Sequence, residues 1–252
     1  MTTEISADAT SAAATTEDEQ SPYVTLLRGD VIKVKVGPDH VEYCIHAELL
    51  LRHSEYFKRA LNGSWKEAEE RAITLEDVEC EIFELFLEWL YTQQYPKEQR
   101  FSGFSNLIYG NEHRRSQINR LKACTFGDRF MAPRFRASSE SSLIDAIVYG
   151  GCPPYYISII YAYEHLPPSS PVLQALIDRH CRSFSEQSDT DSNGELKRRS
   201  QLPHNFLVGV MLRYMRLQSR SKKKPLDRCD YHGHTSDDEK GDNCKVPRVD
   251  HY

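Results

Sequence analysis

Residues 45–61 read IHAELLLRHSEYFKRAL, a stretch headed by a histidine and preceded by a strand-like run, VEYCI, at 41–45. From His46 a stripe continues through Leu49, Leu50 and His53 at helical spacing. Ser54 then interrupts it as the N-cap of a second helix, its hydroxyl able to accept one of the backbone N–H groups that a first helical turn leaves unpaired. The second helix turns Tyr56, Phe57, Ala60 and Leu61 inward. Asn62-Gly63 ends it, because glycine takes a left-handed backbone at no steric cost. The stretch poses one question: is His46 a catalytic base, or a structural corner between strand and helix?

Upstream, GDVIKVKVG at 29–37 alternates Ile32, Val34 and Val36 with Lys33 and Lys35, the period of a half-buried strand. A GPDH turn at 37–40 leads into Val41, Tyr43 and Ile45, again on one face, so the two runs predict a β-hairpin. Downstream, RAITLED at 71–77 is a short strand carrying Ile73 and Leu75. CEIFELFLEWLYTQQYP at 80–96 places Ile82, Phe83, Phe86, Trp89 and Leu90 on one face of an amphipathic helix that Pro96 stops.

The whole sequence has 252 residues, 39% hydrophobic and 27% charged, enough for one sizeable core or two small ones. A mean hydropathy of −0.60 indicates polar segments diluting that core. With a formal net charge of −5 and no basic face with interleaved aromatics, nucleic acid is not an expected partner. The seven cysteines, at 44, 80, 124, 152, 181, 229 and 244, are odd in number and scattered, which points to a reducing compartment, cytoplasm or nucleus. The opening residues, MTTEISADATSAAATTEDEQ, lack the basic and apolar parts of a signal peptide. No apolar run is long enough to span a bilayer, so no membrane partner is expected. Residues 1–22 are expected to form a disordered acidic tail.

The order strand, strand, histidine-headed helix, helix, strand, long helix resembles a BTB/POZ domain. The resemblance rests on GDVIKVKVG, IHAELLLRHSEYFKRALNGSWKEAEERAITLED and IFELFLEWLYTQQYP, and covers residues 23–98. SPYVTLL ahead of the first strand and YTQQY closing the last helix are similar to the BTB proteins common in filamentous fungi. Two features depart from the family pattern: Ala47 stands where a lysine is usual, and the polar stretch KEQRFSGFSNLIYGNEHRRSQI, at 97–118, looks like an insertion. The resemblance implies an α+β fold, a short β-sheet flanked by a cluster of helices, with an all-helical C-terminal extension.

Within 99–218, INRLKACTFGDRFMAPRF at 118–135 and SSLIDAIVYGG at 141–151 look like further helices of that fold, and residues 152–184 resemble the extension. In the extension Ile157, Ile160, Tyr161 and Glu164 follow helical spacing, Pro167-Pro168 break it, and Ser169 or Ser170 caps a helix starting at Pro171. SEQSDTDSNGELKRRSQ at 185–201 reads as a polar linker, and PHNFLVGVMLRYMRLQ at 203–218 as one more amphipathic helix. Residues 219–252 are expected to be a second disordered tail; within RLQSRSKKKP the basic run is either a nuclear-import signal or a solvated helix end.

The resemblance answers the question about His46. It places His46 at the strand-to-helix corner, packed in the core near Asp30, with Ser54 and Phe57 completing a structural signature. A general base would need a nucleophile and an orienting acid, and the sequence carries no G-x-S-x-G, phosphate-cradling glycine loop or H-E-x-x-H. The expectation is a protein that is not an enzyme and takes no cofactor. Its role is a non-enzymatic protein–protein interaction module, with the BTB domain mediating self-association or adaptor binding. The alternative is a substrate adaptor of a cullin-type ubiquitin ligase, because Trp65-Lys66-Glu67 fits the hydrophobic-x-Glu motif by which BTB adaptors bind cullin scaffolds. Candidate protein-binding residues are Leu49, Leu50, Leu51, Tyr56, Trp65 and Glu67. The apolar residues before Asp30, Tyr23, Val24, Leu26 and Leu27, are too few for a swapped helix, so either a weak dimer through the first helix, around Leu49 to Leu51, or a hetero-complex on the same surface is expected. Cys229, His232, His234 and Cys244, spaced C-x2-H-x-H-x9-C, carry zinc-ligand chemistry. Their order matches no common zinc class, and a flexible tail offers no second shell, so no metal is expected there.

Overall fold

A computed structural model describes residues 29–62, 71–96, 109–218, 225–234, 240 and 244. Three strands form one sheet in the order β2-β1-β3. β1 (Val31–Val36) and β2 (Val41–His46) pair antiparallel with Val36 opposite Val41 and Val31 opposite His46, the expected hairpin. β3 (Ala72–Leu75) returns parallel to β1, Val34 opposite Ile73. Alternation sets the faces: Ile32, Val34 and Val36 are buried, while Val31 and Lys33 point to solvent.

Two short helices, α1 (Ala47–His53) and α2 (Glu55–Asn62), follow the hairpin, and α3 (Cys80–Thr92) follows β3. Ile82, Phe83, Phe86, Trp89 and Leu90 of α3 are all buried, as its spacing predicts. The helix stops short of Pro96. Gln93 adopts a left-handed backbone (φ 55°) and returns its N–H to the Trp89 carbonyl at 2.7 Å, so the helix ends on a C-terminal cap rather than on the proline.

α4 (Tyr109–Arg129) begins inside the stretch read as a polar insertion, whose last part, 109–118, is helical. Its polar composition reflects a half-exposed helix carrying paired charges, such as Arg115 with Glu81 at 2.7 Å and Arg114 with Glu195 at 2.9 Å. The chain reverses at Met131 (φ 47°), where the Ala132 N–H reaches the Gly127 carbonyl at 2.8 Å, and α5 (Pro133–Tyr149) packs back along α4. A β-carbon on Gly127 would stand 2.7 Å from the Arg136 Cβ, so the close crossing of α4 and α5 needs glycine there.

The first core joins the sheet to α1–α5. Phe57, Phe83, Phe86, Trp89, Phe126, Phe130 and Phe135 fill it, the Phe57 and Phe130 rings stacking at 5.6 Å and Phe126 lying 4.3 Å from Phe130. A second core lies between α4, α5, α6 (Tyr156–His165) and α7 (Pro171–Ser183), and α8 (His204–Gln218) closes a third, small one through Phe206.

The buried face of α6 differs from the expected stripe. Tyr156, Ser158, Ile159 and Ala162 face inward, Ile157, Ile160 and Tyr161 are half-buried, and Glu164 is exposed. The helix is covered on two sides, by α4 and α7, so small residues as well as apolar ones mark its interior. Pro167-Pro168 follow its end, and Ser170 stands at the N-cap of α7 without a side-chain cap bond.

The 185–201 segment is not a bare linker. It forms 3-10 turns at Glu186–Ser188 and Leu196–Gln201 and buries two carboxylates. Asp189 accepts hydrogen bonds from the Tyr156 hydroxyl (2.9 Å) and Arg199 (2.7 Å), and Glu195 from Arg114 (2.9 Å) and the Tyr156 N–H (2.5 Å). These partners offset the cost of burying the charges.

Candidate interaction surface and metal-ligating cluster

His46 does not occupy the core. It is half-buried at the N-cap of α1, and its Nδ1 lies 2.9 Å from the Tyr91 hydroxyl of α3. The expected packing against Asp30 is also corrected: Asp30 is exposed and its carboxylate pairs with Arg71 at 2.9 Å, at the start of β3. What joins the two positions is backbone, the Ala47 N–H donating to the Asp30 carbonyl at 2.8 Å. The corner therefore needs no buried imidazole. A phenol on the neighbouring helix holds the ring in place.

Ser54 does what its position predicts. It is buried at the N-cap of α2, accepts the Phe57 N–H at 3.2 Å and donates its hydroxyl to the Phe130 carbonyl at 2.5 Å. It thereby ties the α1–α2 junction to the α4–α5 turn. Phe57 is fully buried.

Among the proposed contact residues, Leu50 has no exposed surface and is corrected from contact residue to core. A seven-residue helix laid on the sheet turns its central leucine inward, leaving Leu49 and Leu51 half-buried on either side. Tyr56 is also half-buried, edge-on to Phe130 at 4.9 Å. Nearby His53 packs edge-on to Trp89 at 5.3 Å; burial, then Arg134 and Arg52, hold its imidazole below the usual histidine range, in the neutral form. Trp65, Lys66 and Glu67 lie outside the described residues. A cleft between α3, α4 and α6 is lined by charges that already have partners, Lys122 with Glu79 and Arg129 with Asp77, so it does not read as an anion site.

The C-terminal segment departs most from expectation. Residues 225–234 are packed onto the helical extension, because three side chains there have partners deep in the fold. Arg228, 2% exposed, pairs with the buried Asp145 of α5 at 3.1 Å and donates to the Ser141 hydroxyl at 3.1 Å. The Tyr231 hydroxyl donates to the Asp178 carboxylate of α7 at 3.0 Å, which Arg213 of α8 also meets, at 2.7 Å. Leu226 packs against the second core. Between these anchors sits Cys229. The ligand atoms of Cys229, His232, His234 and Cys244 all lie within 4.8 Å of one another. The sequence showed the ligand types but not their gathering, since the anchoring residues, an arginine and a tyrosine, carry no apolar periodicity.

A family model of the BTB/POZ domain matches residues 29–144. The match begins at β1 and ends within α5, and so covers the sheet, the histidine-headed corner and the first core. Residues 29–144 are a BTB/POZ domain. The search of curated proteins found no match to the chain.

The BTB domain is a protein–protein interaction module. It takes in α4 and most of α5, where 118–135 and 141–151 were expected to be further helices of this fold. The remaining helices and the Cys/His cluster lie beyond it. There α8 rests on α7 through Gly209, where an added β-carbon would meet Ile177 at 2.5 Å. The far side of α8 leaves Leu207, Met211, Leu212, Tyr214 and Met215 exposed, Met215 at 63%. No described helix is long and apolar enough to cross a membrane.

Proposed function

We propose that the chain is a non-enzymatic interaction protein whose BTB domain pairs with a second copy of itself. The BTB/POZ match carries this reading, and the half-exposed Leu49, Leu51 and Tyr56 on the α1–α2 surface supply the apolar contacts it needs. The seven scattered cysteines support a reducing compartment, cytoplasm or nucleus. Association is nearer micromolar than nanomolar, a difference of about 4 kcal/mol, because the apolar residues ahead of Asp30 are too few for a swapped helix. Analytical ultracentrifugation of the full chain tests it. A concentration-dependent dimer that weakens in Leu51→Glu, with circular dichroism unchanged, supports the reading. A single monomer well above micromolar concentration overturns it.

Trp65-Lys66-Glu67 favours a second reading, a substrate adaptor of a cullin-type ubiquitin ligase. The tryptophan would fill a pocket on the scaffold, as interface anchors commonly do. A pull-down with a cullin scaffold that retains wild type and loses Trp65→Ala supports it. Equal retention of both, or of neither, removes it.

A further inference from the structure

We propose that Cys229, His232, His234 and Cys244 bind one Zn2+ ion in a closed tetrahedral site, and that the ion clamps the C-terminal chain onto α5 and α7. In a tetrahedral zinc site, Zn–S near 2.3 Å and Zn–N near 2.0–2.1 Å set ligand atoms about 3.3–3.8 Å apart. Here all four ligand atoms already lie within 4.8 Å of one another, and His232 Nε2 is 3.1 Å from Cys244 Sγ. The His232 and His234 rings sit 4.5 Å apart, tilted at 55°. Small side-chain rotations close the remaining gap.

The donor set selects the metal. Two thiols and two imidazoles with no carboxylate suit zinc and exclude calcium and magnesium, which require oxygen ligands. Neither Cys229 nor Cys244 forms a disulfide. The His234 Nε2 is buried with no hydrogen-bond partner among the described residues. A buried imidazole nitrogen left so is costly, and a metal bond satisfies it.

The backbone around the cluster also has contacts of its own. Asp227 caps the 3-10 turn Arg228–Asp230 by accepting the Cys229 N–H at 2.9 Å. Arg228 and Tyr231, on either side, are fixed to Asp145 and Asp178. Cys229 thus stands on an anchored turn, His232 and His234 follow within five residues of it, and Cys244 comes from further along the chain. With four protein ligands no coordination position remains for water, so the ion is structural rather than catalytic. It would join residues 229–234 to Cys244 and hold Arg228 and Tyr231 in their sockets.

Metal analysis of the full chain, purified without chelator, tests the site. One zinc per chain is expected, dropping to a small fraction in Cys244→Ser, whose half-buried position leaves the core untouched. Replacement by Co2+ should give the intense visible absorption of tetrahedral cobalt with a thiolate charge-transfer band, lost in the same variant. Removal of zinc from wild type by chelator should speed hydrogen exchange at residues 229–234 while the BTB domain stays protected. These readouts do not depend on self-association. Absence of zinc together with no cobalt spectrum overturns the proposal.

Discussion

Ser54 and His46 stand at the two ends of α1, and the residues they meet rank them in an order opposite to the one their prominence in the sequence suggests. Ser54 is buried, caps α2 and satisfies the Phe130 carbonyl, so truncation removes a cap and leaves a buried acceptor unpaired. His46 shares its hydrogen bond with Tyr91 near solvent, where water replaces it readily. Ser54→Ala should therefore cost about 2–3 kcal/mol and His46→Ala about 1 kcal/mol or less, by urea denaturation of both variants. If His46→Ala is the more damaging, the corner is more deeply built than its half-buried ring indicates. Histidine invites a chemical reading wherever it occurs, and here the serine next to a second histidine does more for the fold.

At the scale of elements, legibility followed periodicity. β1, β3 and α3 were readable because their apolar residues recur at strand or helical spacing and are the ones buried; in β2 only Ile45 is buried, while Tyr43 is half-buried and Val41 exposed. α6 was misread because two neighbours cover it, and the start of α4 was missed because its exposed turns are rich in charge. The α4–α5 crossing leaves one signal in the sequence, the lone Gly127 inside a helical run. Gly127→Ala would force a β-carbon to within 2.7 Å of Arg136 Cβ and push two helices apart. The expected loss is about 1–3 kcal/mol, outweighing alanine's better helix propensity of about 1 kcal/mol. A melting temperature unchanged or raised in that variant would mean the helices separate at no cost.

At the scale of the molecule, the extension and the C-terminal segment were the least legible, because polar residues build them. Asp145, Asp178, Asp189, Glu195 and Arg228 are all buried, each matched to a partner distant in sequence, and no pattern in a single chain announces such pairs. His180 of α7 belongs to the same region, stacked on Phe184 at 4.7 Å and edge-on to Phe206 at 5.3 Å. Burial pushes its imidazole down to about 4, only partly opposed by Asp189. The folded state therefore resists a proton that the unfolded chain takes up near pH 6.5. Stability is full above that pH and falls as the pH is lowered toward 4, by up to about 3 kcal/mol. Denaturation of wild type and His180→Gln at matched pH values between 7 and 4 measures it. The wild type should lose more stability than the variant over that range; parallel curves would show that His180 is not the responsible group.

α4 carries one further consequence. Ala123, Phe126 and Phe130 lie in the first core, while Leu121 and Cys124, on the opposite side of the same helix, lie in the second. With one helix holding both cores, the BTB domain and its extension should share one folding transition although the family match ends at residue 144. Calorimetry of the full chain should give a single endotherm whose calorimetric and van't Hoff enthalpies agree. Two resolved peaks would mean that α4 frays down its length instead of failing as a unit. Any loss of stability in the extension is then also felt at the BTB surface, as a smaller population of chains that present it folded.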